Sequence, residues 1–315
     1  MNDLNHPLVS VSVITYNSSN TILETLESIK TQTYPEIELV ISDDCSTDDT
    51  VSICQQWLTN NGSRFKRTEL IESPTNTGTA ANQNRAEKAC TGEWVKGIAG
   101  DDLLLPKCIE DCMAFAKDNP SLSCFFGKIQ AFGGNKEYSE WLTETFSERN
   151  DKMSKQSREE LLDMIINGNT PPAPAFFYNR VFFIDKQIKN DERIPLIEDL
   201  PKWISILKKG FIFGFLDKEI VKYRVGGIST SNEWQSLEVY RSRRLAHFYY
   251  QFDYFYSKDP DKAIVDTVTH ECEIYSSLLD CQKQLNKIKS SFLYKLTAFP
   301  YKKIKKIWKT LLFPL

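Results

Sequence analysis

The chain has 315 residues, a formal net charge of -3, 41% hydrophobic and 26% charged side chains. That length suffices for one sizeable α/β domain with additions, or for two small domains. The near balance of charge excludes a nucleic-acid binder by electrostatics, no run of about 18 apolar residues marks a membrane span, and the opening MNDLNHPLVSVSVITY lacks the basic and apolar regions of a secretory signal.

Residues 8–16 read as a strand, short and rich in the β-branched Val9, Val11, Val13 and Ile14. Residues 17–20 are a polar loop. Ile22, Leu26 and Ile29, spaced four and three apart, predict a helix capped by Ser19 or Asn20. Pro35 ends that unit, and residues 37–42 form a second buried strand. A polar loop at 43–49 leads to a helix over 50–58 and a short third strand at Leu70 and Ile71. A helix over 79–89 and a fourth strand over 93–98 follow, the strand running into Gly100, Asp101 and Asp102. Pro106 suits the first turn of another helix reaching Phe115. Strands alternating with helices predict an α/β fold with a mostly parallel, doubly wound sheet. Right-handed crossovers then bring Asn17, residues 43–49 and Asp101–Asp102 to the carboxyl edge of the strands, where such sheets bind ligands.

Beyond Phe132 the pattern loosens, and residues 133–154 carry no clear period. Ser157 and Glu160 form a capping box for a short helix ending near Asn167. Pro171, Pro172 and Pro174 stiffen a loop before the apolar run 176–184. Residues 195–209 look helical, with Trp203, Ile206 and Leu207 inward, and 211–215 and 220–223 are strand candidates. Ile274, Leu278, Cys281, Leu285 and Ile288 make a short heptad seam that permits a homodimer or an intramolecular contact. From residue 281 onward there are nine lysines and no arginine or acid, leaving 30 basic against 42 acidic residues before it. Lysines 302, 303, 305, 306 and 309 interleave with Tyr301, Ile304, Ile307, Trp308 and Leu311, a basic amphipathic pattern suited to an anionic membrane surface. The eight cysteines include no C-x-x-C pair and read as reduced, buried thiols. His6, His247 and His270 lack metal-ligand spacing, and neither a Walker-type loop nor Gly-x-Gly-x-x-Gly occurs.

The chemistry belongs to the acidic loops. Asp43–Asp44 and Asp101–Asp102 each follow an apolar strand, and four carboxylates on one sheet edge repel unless a cation or a hydrogen-bond donor offsets them. Mn²⁺ or Mg²⁺ takes oxygen ligands and shares them with substrate phosphates. A nucleotide-sugar supplies both the phosphates and a base N–H. Either acidic pair alone is also what a turn or a helix cap uses.

These strings resemble the glycosyltransferases of family 2, which have the GT-A fold. The resemblance rests on Val11-Ser-Val-Ile-Thr-Tyr-Asn17, Ser28-Ile-Lys-Thr-Gln-Thr-Tyr34, Glu38-Leu-Val-Ile-Ser-Asp-Asp-Cys-Ser-Thr-Asp-Asp-Thr50, Asn76-Thr-Gly78 and Gly92-Glu-Trp-Val-Lys-Gly-Ile-Ala-Gly-Asp-Asp102. A later match, Ile197-Glu-Asp199 with Trp203, extends it across roughly residues 8–231. It implies a GT-A domain over 1–231, with a nucleotide-binding half (1–105) and an acceptor-binding half (106–231). A helical extension (232–291) and the basic tail (292–315) would follow. It implies that Thr15, Tyr16 and Asn17 line the nucleotide, joined by Gly78 and Asn84. Asp44 would accept from the base, most often uracil N3–H, Asp101 would face the ribose or the donor sugar, and Asp102 would bind the metal. Asp199 would deprotonate the acceptor.

The implied activity is inverting, metal-assisted transfer of a hexose or N-acetylhexosamine from a UDP-sugar. The acceptor would be a glycan or a polyprenyl-linked hydroxyl in surface-polysaccharide assembly such as O-antigen, with the protein cytoplasmic and peripheral on the inner membrane face. Two positions depart from the family pattern: Gln83 stands where an arginine is usual, with Arg85 two places later, and Gly226 stands at a histidine position. Tyr138, Trp141, Phe146, Phe176, Phe177 and Tyr178 are candidates for stacking on a sugar, the 171–174 loop for an acceptor wall. A sugar nucleotidyltransferase would carry a Gly-rich basic loop where this chain has Asn17-Ser-Ser-Asn20. A non-catalytic scaffold would rely on the heptad and tail.

Overall fold

A computed structural model describes residues 6–194, 196–197, 199–226, 242, 245–251, 254 and 257. The chain divides into two compact units, Met1–Ala246 and His247–Leu315. In the second, the described element is a π-helical turn, His247–Gln251. The heptad, the basic tail, Glu198 and residues 227–231 lie outside the described residues.

The first unit is built on eight strands in the order β3-β2-β1-β4-β7-β6-β8-β5. They are β1 (Val9–Thr15), β2 (Ile37–Asp43), β3 (Arg67–Glu72), β4 (Trp94–Ala99), β5 (Leu103–Leu104), β6 (Cys124–Phe132), β7 (Phe176–Asn179) and β8 (Gly214–Arg224). The first four pair in parallel. β7 runs antiparallel to β4 and β6, β8 parallel to β6, and β5 antiparallel to β8. The parallel half thus carries the motifs expected to bind the donor, and a mixed half is appended to it through β7.

Helices α1 (Ile22–Lys30), α2 (Thr50–Asn61), α3 (Thr79–Ala89) and α4 (Cys108–Asp118) connect the early strands. Val9, Val11 and Val13 of β1 and Ile37, Leu39 and Ile41 of β2 are fully buried on one face, against Ile22, Leu26 and Ile29 of α1. Each such side chain contributes about 1.5–3 kcal/mol through burial. On the alternate face sit buried Ser10 and Ser12. There α3 packs on β1 and β2 through Ala80, Asn82 and Ala86, small enough to let the helix lie close. The α1 helix starts at Ile22 behind Thr21, whose hydroxyl donates to Gly100 O at 2.8 Å, so neither Ser19 nor Asn20 is the cap residue.

Four elements differ from the sequence reading. Residues 133–154 contain an 18-residue helix, α5 (Lys136–Met153), whose buried positions Ser139, Leu142, Asn150 and Met153 are half polar. The apolar run 176–184 splits into β7 and α7 (Arg180–Asp185), because the Asn179 side chain accepts from Phe182 N at 3.0 Å and caps the helix. The two strand candidates near 211–223 are one strand, β8, with Asp217, Lys218 and Glu219 exposed at its middle. β6, opposite it, was not foreseen. The capping box at Ser157 and Glu160 does start α6 (Arg158–Ile166), and α8 (Asp199–Lys208) buries Trp203, Ile206 and Leu207.

Candidate functional site

The site grows from strand register. Thr15 pairs with Asp43 and Ile14 with Ala99, so β1, β2 and β4 end flush. Two further bonds carry the chain past these ends: Asp44 N donates to Thr15 O at 3.0 Å, and Gly100 N to Ile14 O at 2.9 Å. The segments after the three strands therefore share one edge. Asp43 is spent on architecture: its carboxylate accepts Ser46 N at 2.7 Å and Ser46 Oγ at 2.5 Å. Asn17, at φ 49°, donates its N–H to that Ser46 hydroxyl at 2.8 Å and accepts Thr47 N at 2.9 Å through its side chain. These bonds fix the rim on which Tyr16 stands 46% exposed, its ring available to a planar partner.

Asp44 is 3% exposed and is wrapped by the Asn76-Thr-Gly78 turn. It accepts Thr77 N at 2.9 Å, Thr77 Oγ1 at 2.6 Å and Gly78 N at 2.7 Å. Gly78 takes φ 85°, a conformation that disfavours a side chain, and directly precedes α3. Arg85 closes the arrangement from α3. Its guanidinium donates to Thr77 Oγ1 at 2.7 Å, Asn82 Oδ1 at 3.0 Å and Ser73 Oγ at 3.1 Å, and pairs with Asp44 at 3.4 Å. Two places after the usual arginine position, Arg85 thus braces the turn that faces Asp44. Beside them the Thr15 hydroxyl is buried without any hydrogen-bond partner, an uncommon and costly state for a buried polar group.

Asp101 is half-buried and Asp102 is 2% exposed. Burial raises the pKa of both, and for Asp102 the adjacent Asp101 charge pushes it further, well above the ordinary carboxylate range. Asp102 Oδ1 accepts Arg224 N at 2.8 Å. The Arg224 guanidinium donates to Asp101 O at 2.7 Å and to Glu24 at 2.9 Å, and lies 4.5 Å from the centre of the Phe132 ring. Beneath, on β4, Lys96 is fully buried; its ammonium donates to Gly97 O at 2.7 Å and to Pro174 O. Lys96 and Arg224 both attract Asp102 electrostatically, which offsets part of the repulsion between the two carboxylates. Neither residue was singled out from the sequence as a site residue. A lone basic residue in an apolar run gives no signal until its partners are placed.

Among the described residues no group of three or more His, Cys, Asp or Glu side chains converges on a possible cation site. What is present is a buried pair of adjacent carboxylates. That donor set suits Mg²⁺ or Mn²⁺, which are held by one or two carboxylates while substrate phosphates complete the shell.

Asp199 is half-buried at the start of α8, accepting Leu200 N at 2.8 Å. Burial raises its pKa, against the pull of that bond and of Lys202. Its helix is tied to α3 rather than to the carboxylate pair. Lys202, 1% exposed, donates to Glu87 at 2.8 Å. Asn84, expected among the donor contacts, makes its side-chain hydrogen bonds to Asn190 and Glu192. Of the six aromatic candidates, Phe176, Phe177 and Tyr178 are buried in the sheet core and Phe146 packs against it. Tyr138 and Trp141 are exposed, their rings stacked with centroids 5.5 Å apart. The cysteines among the described residues are free thiols, and His6 packs edge-on against Tyr34. No described helix is long and apolar enough to cross a membrane.

Comparison with known proteins bears on the family and the fold. The model of the family described as Glycosyl transferase family 2 matches residues 10–179. TuaG of Bacillus subtilis, a glycosyltransferase named for teichuronic acid biosynthesis, is 28% identical over 251 residues, 77% of this chain and 90% of that protein. The chondroitin synthase of Escherichia coli is 35% identical over 120 residues, which span 38% of this chain and 17% of the synthase. Among solved structures, residues 1–349 of Staphylococcus aureus TarS in complex with UDP-GlcNAc superpose with a TM-score of 0.56 at 22% identity, covering 77% of this chain and 67% of that one. A Pyrobaculum calidifontis mannosyltransferase in complex with GDP-Man and Mn²⁺ gives 0.56 at 19% identity, covering 79% and 64%. At those identities the likeness establishes the GT-A fold.

Proposed function

This chain belongs to glycosyl transferase family 2, and we propose that it transfers one hexose or N-acetylhexosamine from a UDP-sugar to a hydroxyl of a glycan or lipid-linked acceptor in surface-polysaccharide synthesis, with inversion at the anomeric carbon. The observation that carries the reading is the unpartnered buried Thr15 hydroxyl on the strand edge that also presents Asp44 and the Asp101–Asp102 pair. The similarity to TuaG along nearly all of that protein's length supports a role in surface-polysaccharide synthesis.

In this reading Tyr16 stacks on the uracil. Asp44, held by Thr77 and Gly78 and more loosely by Arg85 at 3.4–3.5 Å, would accept the base N–H in place of one of the long Arg85 contacts. Thr15 supplies a hydroxyl and Asn17 shapes the rim. Asp101 faces the ribose or the donor sugar. Asp102 would hold a divalent cation, Mn²⁺ or Mg²⁺, which when bound would offset the negative charge of the departing diphosphate. Asp199 takes the proton of the attacking hydroxyl at its carboxylate, and its raised pKa makes it a stronger base than a solvated aspartate. The acceptor oxygen attacks from the face opposite the diphosphate, so an α-linked donor gives a β-glycoside. Asn84 works from behind, holding the segment that leads to Asp199.

The test is a panel of nucleotide-sugars (UDP-glucose, UDP-galactose, UDP-GlcNAc, UDP-GalNAc and GDP-mannose) scored for Mn²⁺-dependent hydrolysis, with calorimetry of UDP with and without Mn²⁺. Metal-dependent UDP affinity is expected, and so is a loss of turnover of about 100-fold or more in Asp102→Ala and Asp199→Asn, the scale of removing a charge-stabilising or proton-transfer group. Unchanged turnover in both variants would exclude the mechanism, and preferential turnover of GDP-mannose would reassign the donor.

A further inference from the structure

We infer that α3 is a strut that positions the proposed general base, its outer face gripping Asn190, Glu192 and Lys202 and so setting where Asp199 stands relative to the donor. This rests on the reading of Asp199 as the base. Asn84 and Glu87 lie three residues apart on α3, hence on one face of the helix. The Asn84 amide is fully used. Its NH₂ donates to Asn190 O at 3.0 Å and to Glu192 Oε1 at 2.8 Å, and its oxygen accepts Asn190 N and Asn190 Nδ2, both at 3.0 Å. Two donors and two acceptors are all that an asparagine side chain has. One turn on, Glu87 accepts Lys202 Nζ at 2.8 Å. The Lys202 ammonium also lies 5.5 Å from the centre of the Tyr178 ring. Lys202 is three residues from Asp199 on α8, so its anchor and the base share one helical turn.

The other side of the same helix holds the nucleotide end. Gly78, just before α3, donates to Asp44, Arg85 braces Asp44 and Thr77, and Asn82 Nδ2 donates to Thr15 O at 3.3 Å. One 11-residue helix is therefore bonded to the base-reading carboxylate on one side and to the proton-accepting carboxylate's helix on the other. A buried Lys–Glu pair is a poor device for stability, because an apolar pair of similar volume does as well or better. It does fix one relative placement of two helices, and a displacement of about 1 Å at a reacting group can cost on the order of 100-fold in rate.

The experiment compares Asn84→Ala, Lys202→Met and the double variant Glu87→Gln/Lys202→Met with the wild type and with Asp199→Asn. Each is measured for UDP affinity with Mn²⁺, for the kcat of Mn²⁺-dependent hydrolysis of UDP-GlcNAc or whichever UDP-sugar the panel shows to be hydrolysed best, and for Tm. The expected result is UDP affinity within about twofold of wild type in all three and a kcat reduced about 10-fold or more. Lys202→Met alone leaves Glu87 buried without its cation and lowers Tm; the double variant recovers Tm but not kcat. A kcat that returns together with Tm would reduce the pair to a structural role and overturn the inference, as would wild-type kcat in both Asn84→Ala and the double variant. If Asp199→Asn keeps wild-type turnover, the base assignment falls and the strut with it. If Asp199→Asn is inactive while the strut variants are not, only the strut is refuted.

Discussion

Replacing Asp102 by asparagine should make the metal-free protein more stable while removing its activity. Asp102 is 2% exposed and sits beside a second carboxylate, and burial and the Asp101 charge raise its pKa well above the ordinary 3.8. A carboxylate whose pKa is raised on folding binds its proton more tightly in the native state than in the unfolded chain. Its contribution to stability is complete below the unfolded value and is lost as pH rises through the folded one. At pH 8 the native, metal-free protein therefore carries a cost at this position. An asparagine side chain has nearly the same shape and keeps an oxygen for the Arg224 N–H that Asp102 accepts at 2.8 Å, but has no charge. Each unit of displaced pKa is worth ~1.4 kcal/mol, and relief at such sites commonly returns about 0.5–2 kcal/mol. For a chain of this size that raises Tm by roughly 2–4 °C per kcal/mol. Calorimetric melting in EDTA at pH 8 measures it directly. Adding Mn²⁺ and UDP should then raise the wild-type Tm through binding to the native state and leave Asp102→Asn unmoved. A variant that melts at or below wild type in EDTA would show that Asp102 is not held at a cost, and the electrostatic account of the site would be wrong.

Close packing at Gly92 and the burial of Asp199 lead to two further outcomes. In Gly92→Ala the new Cβ would stand 2.6 Å from Ser10 N and 2.8 Å from Leu8 O, both backbone atoms. The strand start must shift, at a cost of about 3 kcal/mol, read as a lower urea midpoint, whereas a midpoint within error of wild type would show that this edge is looser than the packing implies. The acid limb of hydrolysis should lie above the ordinary aspartate range, because the base must be ionised to act and burial raises the pKa of Asp199. A kcat that stays level as pH falls to about 4 would remove Asp199 from the proton transfer.

The parallel half of the sheet was legible because parallel strands buried on both sides leave few alternatives. β1, β2 and β4 are short apolar runs, each ending at polar residues of the candidate site, and α3 spans Thr79–Ala89 as expected. Asp44 and the Asp101–Asp102 pair needed only the rule that loops after parallel strands share an edge. The mixed half was opaque for physical reasons. In α5 the buried stripe includes Ser139 and Asn150, so no apolar period shows; Asn150 Nδ2 donates to Gly127 O at 2.9 Å, a contact that no helix pattern encodes. In β8 three consecutive exposed charged residues interrupt the apolar alternation. Arg224, Lys96, Lys202 and Glu87 acquire their meaning only from partners 78 to 200 positions away in other elements, beyond the reach of any local spacing.

The same long-range contacts explain how two unlike halves could hold a shared geometry. Strand β4 runs into the carboxylate pair and, one residue before its middle glycine, carries Lys96, whose ammonium reaches Pro174. The proline-rich loop, proposed as an acceptor wall, is thereby tied to the strand that presents Asp101 and Asp102. Arg224 at the end of β8 closes over that pair from the mixed half, and Lys202 and Asn190 come onto α3 from the same half. Each of these junctions between the halves is thus a polar or charged contact to an element already bearing donor residues. Apolar packing such as Trp94 on Phe177, with ring centroids 5.3 Å apart, supplies cohesion there but tolerates sliding. Directional bonds from Lys96, Arg224, Lys202 and Asn84 do not. Chemistry that needs a hydroxyl aligned with a departing diphosphate depends on that difference, so loosening a junction should cost turnover before it costs nucleotide binding.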